Sequence, residues 1–146
     1  MTALDILIKL LKEFEGCRLH AYYCPAGILT CGWGQTGHDI KKDTAWTQEY
    51  ADERLLKSAS YVAGQAIKLS PILAHESGRL AAVSSFIYNL GAMNYQASTL
   101  RKSVDAGNWI DAQKQIKRWN KARVNGELVA LAGLTRRRQA ESELLG

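Results

Sequence analysis

The sequence predicts an α+β fold in which a small antiparallel hairpin sheet lobe and a helical lobe are joined by a long helix. Three observations carry that prediction. Apolar residues recur at helical spacing before Glu15 and again after Thr47. Between them the texture changes to glycines at 16, 27, 32, 34 and 37, Pro25, and strand-favouring Tyr22, Tyr23, Ile28, Leu29 and Trp33. The chain of 146 residues is 47% hydrophobic and 23% charged, enough to build a core and far from a disordered composition.

Each element has a local reason. Thr2 followed by Asp5 resembles a capping box, and Leu4, Leu7, Ile8, Leu11 and Phe14 form one face of a helix over 3–14. Glu15-Gly16 ends it. Pro25-Ala26-Gly27 makes the turn of an antiparallel hairpin within a β-rich lobe of about 15–46. Thr47 caps the long connecting helix of about 47–70, with Ala51, Leu55, Ala59, Val62, Ala66 and Ile67 as its buried stripe and Pro71 as its stop. A helical lobe of about 71–146 follows, with helices near Leu80–Leu90, Ser98–Gly107, Asn108–Trp119 and Leu134–Leu145. There are no repeats or linkers, so 1–146 reads as a single domain, with the helix over 3–14 packed on the helical lobe.

Charge and cysteine usage bound the function without naming it. Nineteen basic and 14 acidic residues leave +5, an attraction to some polyanion: nucleic acid, an anionic membrane face or an acidic wall polymer. The three cysteines, Cys17, Cys24 and Cys31, are too few and odd in number for a secreted disulfide framework. Asp5, Lys9 and Lys12 break up the apolar start, which therefore reads as neither signal peptide nor spanning helix.

Chemistry-bearing residues converge in the glycine-rich stretch. Glu15 stands where the first helix hands over to the sheet, Cys24 at the hairpin turn, and Thr30 on the returning strand. A carboxyl, a thiol and a hydroxyl around one cleft suit proton donation to a leaving group together with water activation or covalent attack.

These residues also carry a resemblance. Glu15-Gly16-Cys17-Arg18-Leu19-His20-Ala21-Tyr22, Cys24-Pro25-Ala26-Gly27 and Thr30-Cys31-Gly32-Trp33-Gly34 resemble the phage-type lysozymes, or endolysins, of glycoside hydrolase family 24. The family signature is Glu, eight residues, Asp or sometimes Cys, five residues, and Thr, which Glu15, Cys24 and Thr30 match. Ser85–Gly91, Ser98-Thr99-Leu100, Arg118-Trp119-Asn120 and Gly133–Glu141 resemble later family segments in the right order.

The resemblance implies a lysozyme-like fold and hydrolysis of the β-1,4 bond between N-acetylmuramic acid and N-acetylglucosamine in peptidoglycan. It makes Glu15 the general acid, Cys24 the residue on the opposite face, and Thr30 the residue that helps place water. Thr36, Tyr88 and Thr99 are placed along the substrate cleft, and one of Arg136, Arg137 or Arg138 against Glu15. It implies a cofactor-free monomer with no metal, made in the host cytoplasm and reaching the wall through a holin-type pore. Basic residues of the C-terminal lobe would add attraction to anionic outer-membrane or wall polymers.

Two positions depart from the commoner family pattern. Cys24 replaces Asp, leaving nucleophile, base and bystander open as its roles. Gln35 stands where many members have His, and cannot titrate. Arg18, three residues after Glu15, reads either as orienting the acid or, more in keeping with its type, as a salt-bridge partner anchoring the sheet. Two other function classes compete. One is a zinc-stabilised binding module on Cys17, His20, Cys24 and Cys31, although their spacing lacks the tight cysteine pair of structural sites. The other is a relative that binds peptidoglycan without cutting it. A nucleic-acid module, suggested by Arg136–Arg138, lacks any accompanying motif.

Overall fold

The computed structural model describes residues 1–146. Helix α1 spans Ala3–Glu15. Its capping box is real: Asp5 N–H donates to Thr2 Oγ1 and Thr2 N–H to Asp5 Oδ2, each at 3.1 Å. Gly16 at φ +55° ends it and turns the chain into the sheet. Strands β1 (Arg18–Tyr23) and β2 (Leu29–Gly32) pair antiparallel, Arg18 with Gly32 and Tyr22 with Thr30. The register shifts between these pairs, so β1 bulges. Helix α2 (Gln48–Leu69) is capped by Thr47 and buries Ala51, Leu55, Ala59, Val62 and Ala66, the stripe its spacing predicts. Ile67, also placed on that stripe, is only half-buried.

The helical lobe is built around α3 (Ser77–Leu90), which a short 3-10 turn at Pro71–His75 precedes. Every residue from Leu80 to Ile87 is buried, because α1, α2 and α7 all pack against this helix. Leu7, Leu11, Leu55, Phe86, Tyr95, Leu100 and Ile116 complete one continuous core. Around it run α4 (Ala92–Ala97), α5 (Thr99–Asp105), α6 (Trp109–Lys117) and α7 (Ala132–Leu145).

Two elements were not expected. Helix α4 is one, too short to show periodicity. The other is a second hairpin, β3 (Lys121–Val124) with β4 (Glu127–Ala130), inside the helical lobe. Asn125 at φ +51° and Gly126 at φ +83° form its turn, a backbone pair that suits the twist of a two-residue hairpin.

Candidate active site

The end of α1 places Glu15 at the junction of the two lobes, half-buried. Its Oε2 accepts a 2.5 Å bond from Arg137 Nη1 on α7. Among the three arginines that could have met Glu15, it is therefore Arg137 that does. Arg136 is exposed, and Arg138 is buried against Glu141 and Asn89. The second oxygen, Oε1, lies against Gly34. A Cβ built there would sit 3.2 Å from it, on a backbone at φ +86° that disfavours any L side chain.

The turn that carries Gly34 is pinned from several directions. Cys31 and Gln35 exchange backbone hydrogen bonds across Gly32-Trp33-Gly34. Trp33 N–H donates to Gln35 Oε1, Gln35 Nε2 donates to the Tyr88 hydroxyl, and that hydroxyl donates to the Trp33 carbonyl, at 2.8, 2.8 and 2.7 Å. Trp33 Nε1 reaches Asp52 Oδ1 on α2 at 2.8 Å. This bond, then Gln48 and Lys12, hold the Asp52 carboxyl below the usual range against a smaller upward push from burial. Burial, and then the charge of Glu15, push the Tyr88 phenol far above its ordinary value. It stays a neutral donor throughout the working pH range.

The hairpin brings Cys24 and Thr30 together at its turn. Cys24 N–H bonds the Ile28 carbonyl at 3.0 Å, and Gly27 N–H bonds the Cys24 carbonyl at 2.8 Å, closing the loop. The backbone amide of Ile28 does most to hold the Cys24 thiol below its ordinary range; that of Ala26 adds to it, and desolvation opposes them. Thr30 is buried, and its hydroxyl donates to the Ile28 carbonyl at 2.9 Å.

Open recesses flank the Glu15–Gly34 contact. One, about 910 Å³, is lined by Glu15, Asn89, Leu131, Leu134, Thr135 and Arg137. The other, about 520 Å³, gathers Gly34, Thr36, Arg54, Tyr61 and Tyr88. Thr36 and Tyr88 both line this second recess, though the Tyr88 hydroxyl is committed to the Gly34 turn. Thr99 does not join them; it lies in a separate recess with Trp119, Lys121 and Leu128. Arg18 is corrected: it stacks over the Tyr22 ring at 4.1 Å instead of pairing with an acid. The zinc reading fails too. No group of three or more His, Cys, Asp or Glu side chains is placed to hold a metal, since Cys31 is buried in the sheet and His20 faces solvent.

A two-lobed fold with a fixed carboxyl at the lobe junction defines a lysozyme-like hydrolase. The phage lysozyme family profile matches residues 12–141. The endolysin of Acyrthosiphon pisum secondary endosymbiont phage 1 is 35% identical over 137 residues, 94% of this chain and 92% of that one. The endolysin from Escherichia coli O157:H7 phage FAHEc1 superposes with a TM-score of 0.88 at 30% identity, covering 99% of this chain and 93% of the other. The muramidase domain of SpmX from Asticaccaulis excentricus gives 0.84 at 28% identity, over 95% and 93%. The chain belongs to the phage lysozyme family and is a peptidoglycan-hydrolysing glycoside hydrolase.

Proposed function

We propose that the enzyme cuts the β-1,4 bond between N-acetylmuramic acid and N-acetylglucosamine with Glu15 as general acid and Cys24 as nucleophile. The observation that carries this reading is the fixing of Glu15 at an open cleft: Arg137 holds one oxygen and the glycine turn crowds the other. In the first step the Glu15 carboxyl gives its proton to the glycosidic oxygen as that C–O bond breaks. The Cys24 thiolate attacks the anomeric carbon from the opposite face and forms a thioglycoside. In the second, water attacks the same carbon, its proton returns to the Glu15 carboxylate, and the thiolate leaves.

Support for a nucleophilic Cys24 comes from its place beside Thr30 at the hairpin turn and from its lowered thiol, since the thiolate is the reactive form and the Ile28 amide stabilises it. Thr36 and Tyr88 line the recess beyond Gly34 and are assigned to saccharide contact; Thr99, in its own recess, is assigned to an outer part of the substrate. The enzyme works as a monomer without cofactor, reaches the wall through a separate pore, and is drawn to anionic polymers by its +5 charge. Lys117, Arg118, Lys121, Arg123 and Arg136 are all exposed on the helical lobe. Initial rates of muropeptide release from purified peptidoglycan test the assignment. Glu15→Gln and Cys24→Ala should each lose at least ~100-fold with the fold intact. Full activity in either variant would remove that residue from the mechanism.

A further inference from the structure

Behind Arg137 lies a buried carboxylate that the chemistry above does not use. Glu141, one helical turn further along α7, is fully buried. Its Oε2 accepts from the Ser85 hydroxyl at 2.5 Å, from Arg138 Nη2 at 3.1 Å and from Arg137 Nε at 3.4 Å. Its Oε1 lies 2.7 Å from Arg138 Nε, a close ionic approach without hydrogen-bond alignment. Ser85 links the two sides: its hydroxyl accepts from Arg137 Nε at 3.3 Å and Nη2 at 3.2 Å, and its carbonyl also accepts from Nη2. Arg138 Nη2 also bonds Asn89 Oδ1 at 2.9 Å, and Asn89 lines the Glu15 recess.

We infer that Glu141 is a positioning residue for the active site, fixing Arg137 and so the orientation of the Glu15 carboxyl. The inference rests on the reading of Glu15 as the acid. Its geometry is specific. The Nε and Nη2 edge of the Arg137 guanidinium is held by Ser85 and Glu141, which leaves Nη1 as the corner aimed at Glu15. The two acids and two arginines also form one contiguous chain, Glu15 to Arg137 to Glu141 to Arg138. The faces of Phe14 and Phe86 flank the guanidiniums at 6.0 and 5.2 Å, so little solvent screens the cluster. Removing one partner of a buried ionic cluster is destabilising in itself, so activity must be read per folded molecule. Through Arg138 the same carboxylate also fixes Asn89, a second cleft residue.

The test uses purified peptidoglycan and measures kcat and KM separately, with thermal melts to establish the folded fraction. Glu141→Gln keeps the shape and removes the charge. It should lower kcat about tenfold while KM stays within about twofold, because orientation of the acid is lost and substrate binding is not. In an Arg137→Gln background the same change should move kcat by less than about twofold, since Glu141 acts through Arg137. Should Glu141→Gln fail to fold, Ser85→Ala removes the bridging hydroxyl without a charge change and should lower kcat about threefold. An unchanged kcat per folded molecule, or penalties that multiply in the double variant, overturns the inference. Glu15→Gln in parallel separates the two claims: an active Glu15→Gln sinks the acid assignment, whereas an inactive one beside a fully active Glu141→Gln sinks only the positioning role.

Discussion

Gly34→Ala puts the geometry of the acid to a quantitative test. The perturbation is one methyl group, and two costs follow from the structure. Residue 34 sits at φ +86°, where an L side chain costs about 1–2 kcal/mol of stability. The new Cβ would stand 3.2 Å from Glu15 Oε1, so the carboxylate must retreat by a few tenths of an ångström. It cannot retreat freely, because Arg137 Nη1 holds Oε2 at 2.5 Å. A displacement of about 1 Å at a reacting group costs on the order of 100-fold in rate, so this smaller one should cost about 3- to 10-fold in kcat. Urea denaturation measures the first cost and muropeptide release by liquid chromatography the second. A variant destabilised by about 1–2 kcal/mol with wild-type kcat would show that Gly34 answers only to its backbone and does not gauge the Glu15 carboxyl.

Other predictions address the surrounding framework. Asp52→Asn should cost no more than about 1 kcal/mol at pH 7, because solvent screens a side chain that is 39% exposed. The native carboxyl of Asp52 titrates below its unfolded value, so its contribution is present above the unfolded value and lost as pH falls through the native one. Denaturation midpoints of the two proteins should therefore converge in acid; a gap that persists at pH 2 would contradict the linkage. Iodoacetamide should inactivate the enzyme through Cys24, with a rate that rises with pH through a midpoint below that of an ordinary thiol. Peptide mapping that finds the label only on Cys17 would count against it. Raising salt from ~50 to ~200 mM should slow lysis of whole walls if the +5 charge aids delivery, and a flat response would remove charge from the account.

How far the fold was legible depended on whether burial left a periodic trace. The α2 stripe was readable because one face is buried and the other wet. Helix α3 has eight consecutive buried residues and no such contrast, so its existence was clear but its start lay three residues earlier than expected. Hairpin β3–β4 did leave a signal, Asn125-Gly126 between Val124 and Leu128, which the surrounding helical punctuation obscured. The choice among Arg136, Arg137 and Arg138 was beyond the sequence for a different reason. The inward face of α7 is Arg137, Arg138, Glu141, Ser142 and Leu145, so the buried side is mostly charged and hydrophobic periodicity cannot find its phase. Glu141 and Ser85 were hidden by the same rule: a buried ionic network reads in the sequence as a solvated surface. Glu15, Cys24 and Thr30 stood out as candidates because their spacing matches a family signature; composition alone pointed to the region and left the roles open.

The central claim, that Glu15 and Cys24 share the cleavage between them, is tested most directly by intact-protein mass spectrometry during turnover of a slowly deglycosylated substrate. The account predicts a glycosyl adduct that maps to Cys24, is absent from Cys24→Ser, and is accompanied by product of retained anomeric configuration. Inverted product with no adduct on Cys24 would contradict it.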